Sequence, residues 1–147
     1  LTFLKFTHPG TRLKVTYDIT PKVLPLAHEY QVQWLLDECT NAMLMEMEPS
    51  KFSGLIKNNY MTSSTIAVAT ASCNICVMAE KYGLNSVINR FIDRFSSINF
   101  KHYKDLPEFK AVSVEVRYRL LCGRLDSTEN TLEFAYIGKD GKVSISC

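Results

Sequence analysis

The stretch LPLAHEYQVQWLLDEC, residues 24–39, is written a second time in looser form as CVMAEKYGLNSVINRF, residues 76–91. Ala27 answers to Ala79, Tyr30 to Tyr82, Val32 to Leu84, and Leu35-Leu36 to Val87-Ile88. A sentence used twice constrains the fold more than any composition does, because both copies must solve one local packing problem. Each reads as a helix, a corner and a second helix. The alanine lets the first helix approach a neighbour closely, the tyrosine seals the corner, and the next apolar stripe packs back. Such hairpins stack, since each buries a face the other cannot bury by itself.

In the first copy Thr20 suits an N-cap and Pro21 the first helical position, where a missing N–H costs nothing. Val23, Leu26, Ala27 and Tyr30 follow at helical spacing. Pro25 bends the first turn or moves the true start later. Gln31 breaks the phase, and a second helix begins near Val32 with Val32, Leu35, Leu36, Cys39 and Met43 on its buried face.

Around these units the chain is punctuated. LTFLKFTH, residues 1–8, reads as the last turns of a helix stopped by Pro9-Gly10. RLKVT, 12–16, alternates as a short strand with one wet face. Residues 47–64 read as a linking loop with one helical turn around FSGLIK. A long helix is predicted over 65–81, ending at Gly83 as a C-cap glycine. Leu84, Val87, Ile88, Phe91, Ile92, Phe95 and Ile98 then form the clearest three-four repeat in the chain. HYKDLPEF, 102–109, is a connector whose Leu106 and Phe109 plug the core. Ser113 caps a last helix with Val114, Tyr118, Leu121 and Leu125 on one face. In the tail, 127–147, Asp140-Gly141 between β-prone runs signals a candidate hairpin. The fold class is therefore mainly α: stacked helical hairpins, one short strand near the N-terminus, and a candidate C-terminal β-hairpin.

The 147 residues fit one compact domain or two small ones. Apolar residues make up 46% of the chain, enough to build a core without covalent staples. No apolar run approaches the roughly 20 residues a membrane helix needs, so no membrane partner is expected. A net charge of +2 is too small to suggest nucleic acid. No secretory signal opens the chain and no Asn-x-Ser/Thr sequon occurs. With five cysteines, an odd number, the reading is a reducing compartment, cytoplasmic or nuclear, with free thiols. The first residue is Leu1 rather than Met, which reads as a chain beginning inside something longer, or one that has been cut.

Chemistry has little to stand on. Cys73-Asn74-Ile75-Cys76 has redox or metal spacing, but it falls late in a predicted helix rather than at the start of one after a strand. As a zinc site it lacks a second pair; Cys122, Cys147 and His102 are scattered. Two core thiols are the plainer reading, with a small redox or metal protein as the alternative. Cys39 beside His28 is a buried thiol sooner than a nucleophile. No phosphate loop, no nucleophile elbow and no suitably paired carboxylates occur, so neither an enzyme nor a cofactor is expected. Trp34 is more informative. At 100° per residue it falls opposite Val32, Leu35, Leu36, Cys39 and Met43, on the polar face with Asp37, Glu38 and Asn41. A large aromatic there marks a partner contact, unless the 47–64 loop or the long helix folds over it.

FLKFTHPGTRLKVTYDITPKVLPLAHEYQVQWLLDECTNAML resembles the C-terminal half of a BTB/POZ domain. Phe6, Pro9, Leu24, Leu26, Ala27, Tyr30, Val32, Leu35, Leu36 and Cys39 stand at positions of that family's pattern, a helix ending in an aromatic-x-x-Pro turn followed by L-x-L-A-x-x-Y-x-V-x-x-L-L-x-x-C. MAEKYGLNSVINRFIDRF, DLPEF and VSVEVRYRLLCGRL are similar to the short BACK or three-box extension of invertebrate BTB proteins. The resemblance divides the chain into the BTB half at 1–46, a linker at 47–64, the BACK-like extension at 65–126, and a tail at 127–147 outside it.

The resemblance implies a binding module rather than an enzyme: a substrate adaptor that grips the N-terminal helices of a cullin-type scaffold in a ubiquitin ligase. By position the cullin surface maps to Phe3 and Phe6, which serve equally well as core, and to Trp34, Glu38 and Asn41. The family's N-terminal half, with most of the sheet and the dimer surface, lies outside the sequence. BTB self-association is thus expected of the full domain and not of this chain. The alternative is an inactive or degenerate BTB fragment.

Overall fold

The computed structural model describes residues 14–57, 62–133, 135–137 and 143–145, and the protein is mainly helical over them. In chain order the elements are α1 (Thr20–Glu29), α2 (Gln33–Glu46), α3 (Pro49–Lys57), α4 (Ser63–Tyr82), α5 (Asn85–Ser96), a 3-10 turn (Phe100–His102), α6 (Pro107–Ala111) and α7 (Val114–Glu133). Two three-residue strands follow, β1 (Ala135–Ile137) and β2 (Val143–Ile145), paired antiparallel with Tyr136 opposite Ser144. The expected helix over 1–8, and Arg12 and Leu13 of the expected strand, lie outside the described residues. Residues 14–16 have no strand partner among the described ones.

The two repeated units fold alike down to their hydrogen bonds. At the end of α1 the Val32 N–H donates to the Ala27 carbonyl at 2.9 Å and the Gln31 N–H to His28 at 3.3 Å. At the end of α4 the Leu84 N–H donates to Ala79 at 2.9 Å and the Gly83 N–H to Glu80 at 3.3 Å. This is the Schellman closure, in which a left-handed residue lets two N–H groups turn back onto orphan carbonyls. Gln31 supplies that residue with φ 54° and Gly83 with φ 67°. Val32 and Leu84 share φ −83° and lead directly into α2 and α5. Ala27 and Ala79, which carry the receiving carbonyls, are both fully buried.

The two corner tyrosines are not equivalent. Tyr30 is 62% exposed and does not seal its corner. Tyr82 is partly buried, and its ring lies 5.3 Å from that of His28, linking the second unit to the first. In α1 it is Leu24, not Leu26 or Tyr30, that joins Val23 and Ala27 in the core. Thr20 is not the N-cap either. Ile19 occupies that position, while Thr20 is buried and its hydroxyl donates to the Thr16 carbonyl at 2.9 Å. Pro25 is carried within α1, where its missing N–H removes one backbone bond.

Helix α5 is the axis of the molecule, packed against α2, α4 and α7. Its Val87, Ile88, Phe91 and Phe95 are buried. Phe95 stacks on Phe91 at 4.2 Å and meets Phe52 and Tyr103 edge-on at 6.2 and 4.9 Å. Phe52 belongs to α3, so residues 49–57 form a packed helix longer than the single turn expected of the linking loop. Phe109 of α6 closes the cluster against Tyr103 at 4.9 Å. Aromatic edges on faces in this geometry add about 0.5–1.5 kcal/mol per pair beyond area burial. Helix α4 begins at Ser63, two residues before the periodicity shows it, on a capping box made by Thr62 and Thr65.

Candidate partner-binding site

Helix α2 buries Leu35, Cys39, Ala42 and Met43, which leaves the other side of the cylinder to solvent. Trp34, Glu38 and Asn41 all stand on that exposed side, with Trp34 47% accessible. Neither α3 nor α4 covers it. Gln33 and Asp37 flank the indole, joined by a side-chain hydrogen bond of 2.8 Å one turn apart. Met45, 11 positions beyond Trp34 and so only about 20° away around the helix, is also exposed and extends the face. The same helical count that singled out Trp34 would have found Met45. Phe3 and Phe6, the other two residues mapped to this surface, lie outside the described residues.

The buried thiols lie apart from this face. Cys73 and Cys76 are one turn apart in the middle of α4, fully buried, with Cys39 of α2 in the same core. Burial raises all three: Cys39 to about 11, helped by Glu38, and Cys73 to about 12, helped by Glu108. Cys76 is raised by burial first, then by Glu80 and Cys73. Neutral, water-excluded thiols are poor nucleophiles and poor metal ligands. Among the described residues no cluster of three or more His, Cys, Asp or Glu side chains could hold a metal ion. His28 is exposed, its ring against that of Tyr82, while Cys39 is buried.

Helix α7 turns out differently from its sequence pattern. It buries Val116 and Leu120, not the Val114–Tyr118–Leu121–Leu125 stripe, which faces water. The two faces sit roughly 150° apart around the helix. Arg124 sets the rotation: its Nη1 donates to the carbonyls of Phe95, Ser96 and Ile98, at the end of α5 and just beyond it. Arg119 adds a 2.7 Å bond to Asn89. Beside the exposed stripe a shallow groove of about 400 Å³ runs between α5 and α7, lined by Ile92, Asp93, Tyr118, Cys122 and Asp126 among others.

No family model, curated protein or solved structure matches the chain. No helix among the described residues is long and apolar enough to cross a membrane.

Proposed function

We propose that this chain is a protein–protein interaction module of the BTB–BACK kind, an adaptor whose stacked helical hairpins present α2 to the N-terminal helices of a cullin-type scaffold. The observation that carries the reading is the exposed Trp34 on the polar side of α2, immediately after the first corner. A half-accessible indole on an otherwise polar helix face is the residue type that dominates protein interfaces. Glu38, Asn41 and Met45 extend the contact along the same side, and Phe3 and Phe6 complete it by family position. The two corners, closed by the same pair of backbone bonds, support the stacked-hairpin architecture that such adaptors use.

The test is calorimetric titration of the chain with a purified cullin N-terminal domain. The expected result is saturable binding, weakened about 30-fold by Trp34→Ala, as for an interface anchor worth about 2 kcal/mol, with unchanged helical circular dichroism. Equal affinity in the variant removes the assigned surface. Absence of binding by the unaltered chain removes the cullin assignment.

A further inference from the structure

We infer that the outward stripe of α7 is a seam between two copies of this chain, paired antiparallel about a two-fold axis between Tyr118 and Leu121. Val114, Tyr118, Leu121 and Leu125 are 74, 67, 44 and 62% exposed. Their spacing of four, three and four is the alternation of a coiled-coil seam. The opposite side of α7 is already committed to the core through Val116 and Leu120.

The occupant follows from the symmetry of the spacing. Four-three-four reads the same in both directions, so the stripe is complementary to itself when reversed, as a two-fold interface demands. In that register Val114 meets Leu125 of the second copy, and Tyr118 meets Leu121. Large side chains thereby face smaller ones, whereas a parallel partner would set Tyr118 on Tyr118. Charge permits the same pairing. The flank that would bring Arg124 towards Arg117 of the second copy is relieved, because the Arg124 guanidinium is turned into the carbonyls ending α5. The opposite flank carries Glu115 and Cys122, with no cation between them.

The area is consistent with a dimer. Four apolar side chains so exposed form a patch of a few hundred Å², as large as the largest patch on a typical monomer. Two such patches, with their rims and the adjoining groove, approach the roughly 1,200 Å² total of the smallest specific interfaces. The seam uses none of the residues of the proposed cullin surface, so either reading can fail without the other.

The deciding experiment is sedimentation velocity on the whole chain from low to high micromolar concentration. The expected result is a concentration-dependent species of twice the chain mass. Leu121→Asp abolishes it without loss of helical circular dichroism, while Trp34→Ala leaves it intact. Orientation is read by oxidative cross-linking in a Cys122→Ser, Cys147→Ser background. A mixture of Val114→Cys and Leu125→Cys chains gives the mixed disulfide dimer, and neither chain does so by itself. A monomer at every concentration, a dimer indifferent to Leu121→Asp, or a Val114→Cys chain that cross-links to itself overturns the proposal.

Discussion

Gln31 and Gly83 do the same work with different chemistry. Both hold positive φ so that the next N–H can reach back to a buried alanine's carbonyl. For glycine that conformation carries no Cβ penalty, whereas for glutamine it costs about 1 kcal/mol. The Gln31 side chain recovers part of this through a 2.7 Å bond from Nε2 to the His28 carbonyl. The space at Gly83 is open, and a Cβ there would meet nothing within 4 Å. Its substitution therefore tests backbone conformation and not crowding. Gly83→Ala is expected to lower unfolding free energy by about 1 kcal/mol, and Gln31→Gly to raise it by up to about the same amount. Urea titration of both variants checks this. A Gly83→Ala protein as stable as the parent would mean that the second corner does not depend on the left-handed residue.

At the scale of elements, α7 is held by polar anchoring as much as by apolar burial. Arg124 donates to carbonyls at the C-terminus of α5, where a cation also meets the negative end of the helix dipole. Arg124→Met keeps the length of the side chain and removes the donors. It is expected to cost about 2 kcal/mol and to raise hydrogen exchange in the last turn of α5. Unchanged exchange there would show that water replaces the guanidinium freely. This anchor also explains what could be read in advance and what could not. The boundary at Gly83, the corner at Tyr30-Gln31 and the buried face of α5 follow from local rules of spacing and capping, so the chain displays them openly. The rotation of α7 depends on Arg124 reaching residues more than 25 positions earlier, which no periodicity contains. The full length of α3, expected as a single turn, was hidden for the same reason, because it is fastened by Phe52 against the distant Phe95. The exposed side of α2, with Trp34, was legible from helical phase, while Thr20 misled because its hydroxyl turns back to Thr16 instead of forward into the helix.

For the whole molecule, three thiols in one core tie stability to alkaline pH. Cys39 and Cys73 are raised by burial from an ordinary 9.0 to about 11 and about 12, and Cys76 is raised in the same direction. Above pH 9 the unfolded chain releases these protons while the folded chain keeps them, so stability falls as pH rises. The contribution is fully present below about 9 and is lost through the folded values. Each thiol steepens the decline by about 1.4 kcal/mol per pH unit within that window. Tyr103 and Tyr17, raised chiefly by their own burial, add to it above 10. Urea unfolding at pH 8, 9 and 10 is expected to show the fall, and Cys73→Ala with Cys76→Ala to flatten it. A profile that is level across this range would mean that water reaches the thiols.

The chain has a single tryptophan, and it is Trp34. The stacked rings of the core are phenylalanine and tyrosine, so the only indole stands outside that packing. Its emission already comes from a half-aqueous setting, and loss of the core changes that setting little. Covering the α2 face changes it greatly. Evolution or chance has thus placed the protein's one intrinsic fluorophore where it watches the surface: a lamp at the door, and none inside the house.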